Sequence, residues 1–193
     1  REKALAIEKA VGRQVPVKTA VFHEDLTLVQ RDRNAAWFAE PDGARLLICS
    51  EIGSEGRNFQ FAHHLVLFDL PLNPELLEQR IGRLDRIGQT QTIHVHTPYL
   101  IGSPQEALAR WYHEGLNAFE SNLQGANQLL QQFGEDVLAL AANYSESAPL
   151  EQLIADTATA REQIAVQMEQ GRDRLLELNS HRPTEAATVV EAI

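Results

Sequence analysis

Three arginines and two glutamines lie in the stretch LLEQRIGRLDRIGQ, residues 76–89. On a helix, where each residue turns the chain by about 100°, Gln79, Arg83 and Arg86 fall within roughly 60° of one another. Guanidinium groups stay charged, bind phosphate oxygens in a fork, and stabilise the charge that spreads over a γ-phosphate during phosphoryl transfer. The spacing therefore suits a triphosphate. A solvated helix face also explains it, and periodicity by itself favours that simpler interpretation.

The opposite side of the same predicted helix is apolar. Its aliphatic residues, which lie within roughly 60° of one another, are Leu77, Ile81 and Leu84. They can pack against a sheet while the polar residues point away. Gly82 and Gly88 can each end the helix, and an early end would place Arg86 on a loop.

The elements that must position this stretch alternate between strand and helix. Strands are predicted at residues 15–22, 45–49, 64–68 and 92–97, and helices at 2–10, 28–38 and from 74 onward. Asp25 and Thr27 are both candidate caps for the second helix. This order predicts a parallel sheet flanked by helices. From about Pro104 only helices are expected, at residues 104–120, 127–143 and 149–179.

Two features of the helical part concern its packing. Trp111, Tyr112 and Phe119 are interpreted as core contacts rather than as an exposed partner surface. The last helix carries a narrow apolar seam, which we expect to pack against its neighbour instead of forming an intermolecular coiled coil. The residues of this seam are Leu150, Leu153, Ile154, Ile164, Met168, Leu175 and Leu178.

The composition limits the classes of function. The net charge is −10, so any nucleic-acid contact must use a local basic patch or the charge of a partner domain. No apolar run is long enough for a bilayer and no signal segment begins the chain, which predicts a cytoplasmic protein with no membrane partner. Cys49 lies in an apolar run and is expected in the core. Since the first residue is Arg1 and not methionine, we expect a piece of a longer protein.

Metal and hydrolase sites are not predicted. His94 and His96 alternate along a predicted strand and share a face, but zinc needs further ligands. Ser50, Ser54 and Asp69 lack the nucleophile elbow of a hydrolase, and the glycines at 53 and 56 lack the order of a dinucleotide-binding motif.

Three strings in the chain resemble known motifs in the correct order. FDLPLNPELLEQRIGRLDRIGQ (68–89), LLICSEIGSEGRNFQFA (46–62) and VFHEDLTLVQRDRNAAWF (21–38) resemble late motifs of superfamily-two helicase-like motors. The likeness is greatest to the Swi/Snf-type DNA translocases, and within them to the bacterial RNA polymerase-associated ATPases. RWYHEGLNAFE (110–120) resembles the same branch. The motif resemblance covers about residues 1–100.

The resemblance implies a fold and a domain order. Residues 1–102 are expected to form the second RecA-like ATPase lobe, an α/β fold with a parallel sheet flanked by helices, here lacking its first strand. Residues 103–180 are expected to form an all-helical extension with a long last helix, and residues 181–193 a flexible tail.

The resemblance also implies roles in a site shared by two lobes. Arg86 matches the arginine finger, Arg83 a second γ-phosphate contact, and Gln79 a supporting contact to ATP. Gly53 and Gly56 match glycines that turn tightly beside the nucleotide.

Two further positions match nucleic-acid contacts. Ser50 matches a contact to the nucleic-acid backbone, and Asn58 matches the polar residue that couples the two sites. Asp85 stands where many relatives have histidine. Glu51 and Ser54 stand where a basic residue and a glycine are commoner in the family, and Glu55 adds further negative charge, which opposes nucleic-acid contacts at this motif.

The motifs that the sequence lacks also bear on its function. The chain has no G-x-x-x-x-G-K-[ST] phosphate loop, so ATP and Mg²⁺ would be bound mainly by a lobe absent from it. Expected partners are that upstream first lobe, double-stranded DNA and the RNA polymerase core, in a bacterial, nucleoid-associated protein that remodels or recycles polymerase. The alternative is a non-catalytic module that docks on polymerase or DNA. A strand-separating helicase is disfavoured, because the RIGQ ending resembles translocases.

Overall fold

The structure is a computed structural model that describes residues 1–51, 58–121, 125–143 and 148–180, with side chains described in the last range at 149–171. The chain forms two compact units. The first contains residues 1–62 and 86–90, and the second contains residues 63–85 and those from 91 onward. The predicted boundary between residues 102 and 103 stays a prediction.

The first unit contains two helices and two strands. They are α1 (Glu2–Gln14), β1 (Thr19–Phe22), α2 (Leu28–Ala39) and β2 (Leu46–Cys49). The strands are parallel, with Thr19 opposite Leu46 and Phe22 opposite Cys49, as the alternation of strand and helix predicts. Pro16 and the residues around it stay outside β1, so the predicted first strand began too early.

Two apolar groups hold this unit together. Ala4 of α1 packs with Val21 and Ile48 on the two strands. Phe22, Phe38, Phe59 and Phe61 form an aromatic cluster with ring centroids 5.3–6.3 Å apart. Cys49 is exposed, so its predicted place in the core is wrong. It is the last residue of β2, where the strand leaves the packed face.

Thr27, and not Asp25, caps α2. The Thr27 hydroxyl accepts a hydrogen bond from the Gln30 main-chain N–H at 3.3 Å, and the Gln30 side chain accepts one from the Thr27 N–H at 2.9 Å. This reciprocal capping box satisfies two N–H groups that the helix itself cannot.

Replacing Thr27 with alanine is expected to lower the free energy of unfolding by about 1 kcal/mol, since alanine cannot accept the N-terminal hydrogen bond. Thr27→Ser keeps the oxygen and is the matched control, with a change of less than about 0.5 kcal/mol. Urea unfolding followed by circular dichroism measures both variants. Equal losses in the two would show that the hydroxyl does not stabilise the helix.

The second unit carries the other two strands and most of the helices. They are β3 (His64–Val66), α3 (Pro74–Ile81), β4 (His94–His96), α4 (Pro104–Arg110), α5 (Ala126–Ala142) and α6 (Ala148–Ser180). The strands are parallel, with His64 opposite His94. Both are shorter than the predicted ranges. The helices of residues 104–180 confirm the predicted helical extension as secondary structure.

The predicted helix over residues 104–120 is wrong beyond Arg110. Residues Trp111–Gly115 form a π-helical turn, in which the Leu116 N–H bonds to the Trp111 carbonyl at 3.0 Å. The wider turn accommodates one extra residue. Trp111 and Tyr112 are adjacent in sequence, yet both are fully buried. Their predicted role as core contacts is confirmed, and Phe119 packs against the same core.

The long helix α6 packs against α5 and the π-helical turn, as its seam predicts. Leu150, Leu153, Ile154 and Ile164 are buried. Met168 is 46% exposed, so the buried part of the seam ends before it. The side chains of Leu175 and Leu178, and the predicted tail at 181–193, lie outside the described residues. None of the helices in the described ranges is long and apolar enough to cross a membrane.

Candidate nucleotide and nucleic-acid site

The helix α3 presents Gln79 to solvent. Asn73 caps its first turn by accepting a hydrogen bond from the Glu75 N–H, and Pro74 occupies the first helical position, where no N–H is needed. Leu77 is fully buried, whereas Gln79 is exposed. The predicted division into an apolar and a polar side is confirmed along this helix.

The core that buries Leu77 includes the helical extension as well as the strand region. Leu77 and Leu67 share a hydrophobic cluster with residues of the π-helical turn, α5 and α6. The largest of these are Trp111, Tyr112, Leu129 and Phe133. A sheet was the predicted surface under this helix. Apolar periodicity shows which face of a helix is buried and not which element buries it.

Polar contacts from the extension also hold the segment that leads into α3. The Gln105 side chain donates to the Phe68 carbonyl at 2.8 Å, and the Tyr112 hydroxyl donates to the Pro71 carbonyl at 2.8 Å. Within α3 itself, the Arg80 guanidinium donates to the Asp69 carbonyl at 2.6 Å. Burial raises the Tyr112 pKa, so its hydroxyl stays a donor at neutral pH. The extension is therefore part of the support for the α3 residues.

The α-helix ends before either predicted phosphate-binding arginine. Gly82 is its C-cap, Arg83 lies in the following turn, and Arg86 lies on the loop beyond. Arg83 is partly buried and Arg86 is exposed. The helical arc that placed Gln79, Arg83 and Arg86 together is therefore wrong for Arg86, and the loop alternative is correct.

Arg86 belongs to the first unit, whereas Gln79 and Arg83 belong to the second. The loop of residues 86–90 is bonded to the turn of residues 59–62. Gln89 donates from its side-chain amide to the Gln60 carbonyl at 3.0 Å and to the Ala62 carbonyl at 3.2 Å. Sequence reasoning missed the roles of Gln89 and Gln60. The RIGQ string was a signal for the first, but nothing in the sequence identifies its acceptors.

Ser50 directly follows β2 at the carboxyl end of the first sheet. Its main-chain N–H bonds to the Phe22 carbonyl at 2.8 Å, and its hydroxyl donates to a Glu24 carboxylate oxygen at 3.0 Å. The Glu24 main-chain N–H and then this hydroxyl lower the Glu24 pKa to about 2. Glu24 is therefore charged at neutral pH beside Ser50. A phosphate at Ser50 would meet that negative charge, and the role of Ser50 stays a prediction.

Asn58 lies in the turn that bonds to Gln89. Its side-chain oxygen accepts from the Gln60 N–H at 3.0 Å, and its amide donates to the Gln60 side chain at 3.3 Å. Asn58 is exposed, so a ligand can reach it. Gly53 and Gly56, and with them the predicted backbone turn at the nucleotide, lie outside the described residues.

The strand histidines share one surface of the second sheet. The ring of His64 stacks near those of His94 and His96, and its Nδ1 lies 3.0 Å from Nε2 of His96. Desolvation and then the neighbouring imidazoles lower the His64 pKa. Within the described ranges, no group of three or more histidine, cysteine, aspartate or glutamate side chains could hold a metal ion.

Two protein families match consecutive parts of the chain. Residues 2–88 match the helicase conserved C-terminal domain. Residues 92–193, more than half of the chain, match the RNA polymerase recycling family C-terminal domain. The hydrophobic cluster around Leu77 contains residues from both matched parts.

Curated relatives and a solved structure agree with these matches. The chain is 54% identical over all 193 residues to the RNA polymerase-associated protein RapA of Pseudomonas putida strains KT2440, F1 and GB-1. It spans 20% of the length of each. The crystal structure of the C-terminal part of the Fun30 ATPase domain superposes with a TM-score of 0.52 at 20% identity, over 72% of this chain and 46% of that one. The predicted fold class, a helicase C-terminal lobe with a helical extension, is confirmed.

Proposed function

The chain belongs to the RNA polymerase recycling family, and on that premise we propose that it is the second motor lobe of an ATP-dependent double-stranded DNA translocase. The name of the relatives, RNA polymerase-associated protein, supports RNA polymerase as the partner. In this proposal the full-length protein couples ATP hydrolysis to movement on DNA and thereby remodels or recycles polymerase in the bacterial cytoplasm, at the nucleoid.

The observation that carries the proposal is the exposed Arg86 on a loop whose main chain is anchored. Its side chain has no hydrogen bond or ion pair with another residue in the part of the chain that the structure describes. An arginine finger must reach out of its own lobe to a phosphate held by another lobe, which requires a guanidinium that its own lobe does not neutralise. Arg86 meets this requirement.

Gln79 and Arg83 complete the proposed contribution to ATP. Gln79 is exposed on α3, and Arg83 lies in the turn that follows the end of this helix. Arg86 would stabilise the charge that develops on the γ-phosphate, Arg83 would add a second cation, and Gln79 would donate a hydrogen bond. ATP and Mg²⁺ would be held mainly by the upstream first lobe of the same protein.

The nucleic-acid surface is the less complete part of the proposal. Ser50 and Asn58 both lie in the first unit, and each has polar groups that can contact a nucleic-acid backbone. The net charge of −10 and the charged Glu24 oppose tight DNA binding by this chain on its own. The first lobe would supply most of the positive charge.

A non-catalytic module that docks on polymerase or DNA is the alternative, and within it the net charge of −10 favours a protein partner over DNA. In that case the helical extension would bind polymerase and Arg86 would have no chemical role. Turnover of the Arg86 variant separates the two functions.

The isolated chain is expected neither to hydrolyse ATP nor to bind it with micromolar affinity, because it contributes cations but no phosphate loop. Isothermal titration calorimetry with Mg-ATP measures the affinity, and phosphate release measures the turnover. Stoichiometric micromolar binding would show that this chain holds the nucleotide itself, contrary to the proposed division between two lobes.

A further inference from the structure

We propose that Gln89 is the positioning residue for Arg86. It acts through a clasp formed by the Gln89 side-chain amide and the main-chain carbonyls of Gln60 and Ala62. This inference rests on the proposed function, since it takes Arg86 as the arginine finger.

The clasp uses the full donor capacity of the glutamine amide. A primary amide has two N–H donors, and the Gln89 nitrogen lies 3.0 Å from the Gln60 oxygen and 3.2 Å from the Ala62 oxygen. The Gln89 main-chain N–H donates to the Arg86 carbonyl at 2.9 Å, which closes the turn between the two residues. Gly88 has a φ of 100° within that turn, a conformation in which a side chain would be strained.

The acceptors of the clasp are themselves held in place. Phe59 is buried and packs edge-on against Phe22 and Phe38. The Ala62 N–H bonds to the Phe59 carbonyl at 2.8 Å, which closes a tight turn. The Asn58 side chain fixes the Gln60 N–H within the same turn. The Gln60 and Ala62 carbonyls therefore belong to a segment anchored in the aromatic cluster of the first unit.

These contacts determine the position of the Arg86 main chain, from which its side chain extends. The last α-helical hydrogen bond described after α3 runs from the Asp85 N–H to the Ile81 carbonyl at 3.0 Å, before the loop of residues 86–90 begins. Within that loop Ile87 is fully exposed, so packing of its side chain does not anchor the loop. Gln89 instead ties the loop to the anchored turn and sets where the Arg86 main chain lies. The Arg86 side chain keeps its rotamer freedom to contact a ligand, while its Cα is held at a fixed position.

The test uses Gln89→Ala and Gln89→Glu in the full-length ATPase, with ATP turnover measured at saturating DNA. Glutamate matches glutamine in size but cannot donate, and it would face two carbonyl oxygens. Thr90→Ala, at an exposed neighbour in the same loop, is the matched control. We expect both Gln89 variants to lose about 10- to 100-fold in kcat, as for a displaced catalytic group, with the KM for ATP within about threefold.

A double variant separates positioning from general damage. If Gln89 acts through Arg86, Gln89→Ala should reduce turnover by less than about twofold in an Arg86→Ala background. A further large loss there would overturn the inference, as would unchanged turnover of both Gln89 single variants.

Hydrogen exchange keeps the inference distinct from the proposed function. Gln89→Ala should speed amide exchange in residues 86–90 and leave residues 19–22 unchanged. If Arg86→Ala leaves turnover intact, the finger assignment fails, and the positioning role in catalysis fails with it. If Arg86 is essential and exchange in the loop is unchanged in Gln89→Ala, the finger stands and the clasp is wrong.

Discussion

Arg86→Ala is expected to lower DNA-stimulated ATP turnover of the full-length protein by about 10³-fold or more, the range for removal of an arginine finger. In the proposed function, Arg86 supplies the cation that meets the charge developing on the γ-phosphate in the transition state, and the variant removes it. Because that charge is smaller in the ground state, the KM for ATP should change much less than kcat. Phosphate release at saturating DNA measures the turnover, and a separate binding assay confirms that DNA affinity is retained.

Alanine variants of two other arginines show whether the loss of turnover is specific to Arg86. Arg83→Ala, at the proposed second γ-phosphate contact, should also reduce turnover, though by less than Arg86→Ala. Arg33 is exposed on α2, and Arg33→Ala is the matched control with turnover expected within about twofold of the parent. Turnover unchanged by Arg86→Ala would reject the finger assignment and favour the docking module.

Leu77→Ala is expected to lower the free energy of unfolding by about 2–5 kcal/mol, since it removes a fully buried side chain and leaves a cavity. The cavity would lie in the core that joins α3 to the helical extension. Urea unfolding of this chain, followed by circular dichroism, measures the loss. The near-ultraviolet signal should also change if the environment of the buried Trp111 and Tyr112 relaxes.

The control for this variant is another leucine of the same unit. Leu100 is 76% exposed in the loop between β4 and α4, and Leu100→Ala should change the free energy of unfolding by less than about 0.5 kcal/mol. Equal losses for the two variants, or a small loss for Leu77→Ala, would mean that the extension does not form a tight core with α3.

Several elements of the fold follow from local sequence alone. Asn73 and Pro74 predict where α3 begins, because a side-chain acceptor followed by a residue without an N–H suits the first turn of a helix. Local sequence offered Asp25 and Thr27 as caps for α2, and the structure selects Thr27 through its reciprocal bonds with Gln30. The buried Leu77 and exposed Gln79 follow from a helical period of 3.6 residues. These features depend on neighbours within a few residues, which the sequence displays directly.

Other features depended on distant residues and were predicted incorrectly. The burial of Trp111 and Tyr112 was predicted correctly, but the α-helix expected to carry them is replaced by a π-helical turn that packs against α6. Cys49 lies in an apolar run, but it ends β2 and is exposed. An apolar run predicts that a segment is buried, but it does not determine whether the last residue of that segment is buried or exposed.

The sequence by itself determined the chemistry of the candidate site: arginines, glutamines and small polar residues in the motif order of a helicase-like lobe, with no phosphate loop. Only the tertiary structure decided how they are supported. It placed the helical extension beneath α3, and it tied the Arg86 loop to the turn of residues 59–62 through Gln89. The physical reason is that helical periodicity shows which face of a helix is buried but not which element packs on that face. The Gln89 contacts join residues 27 and 29 positions apart, which no local pattern displays.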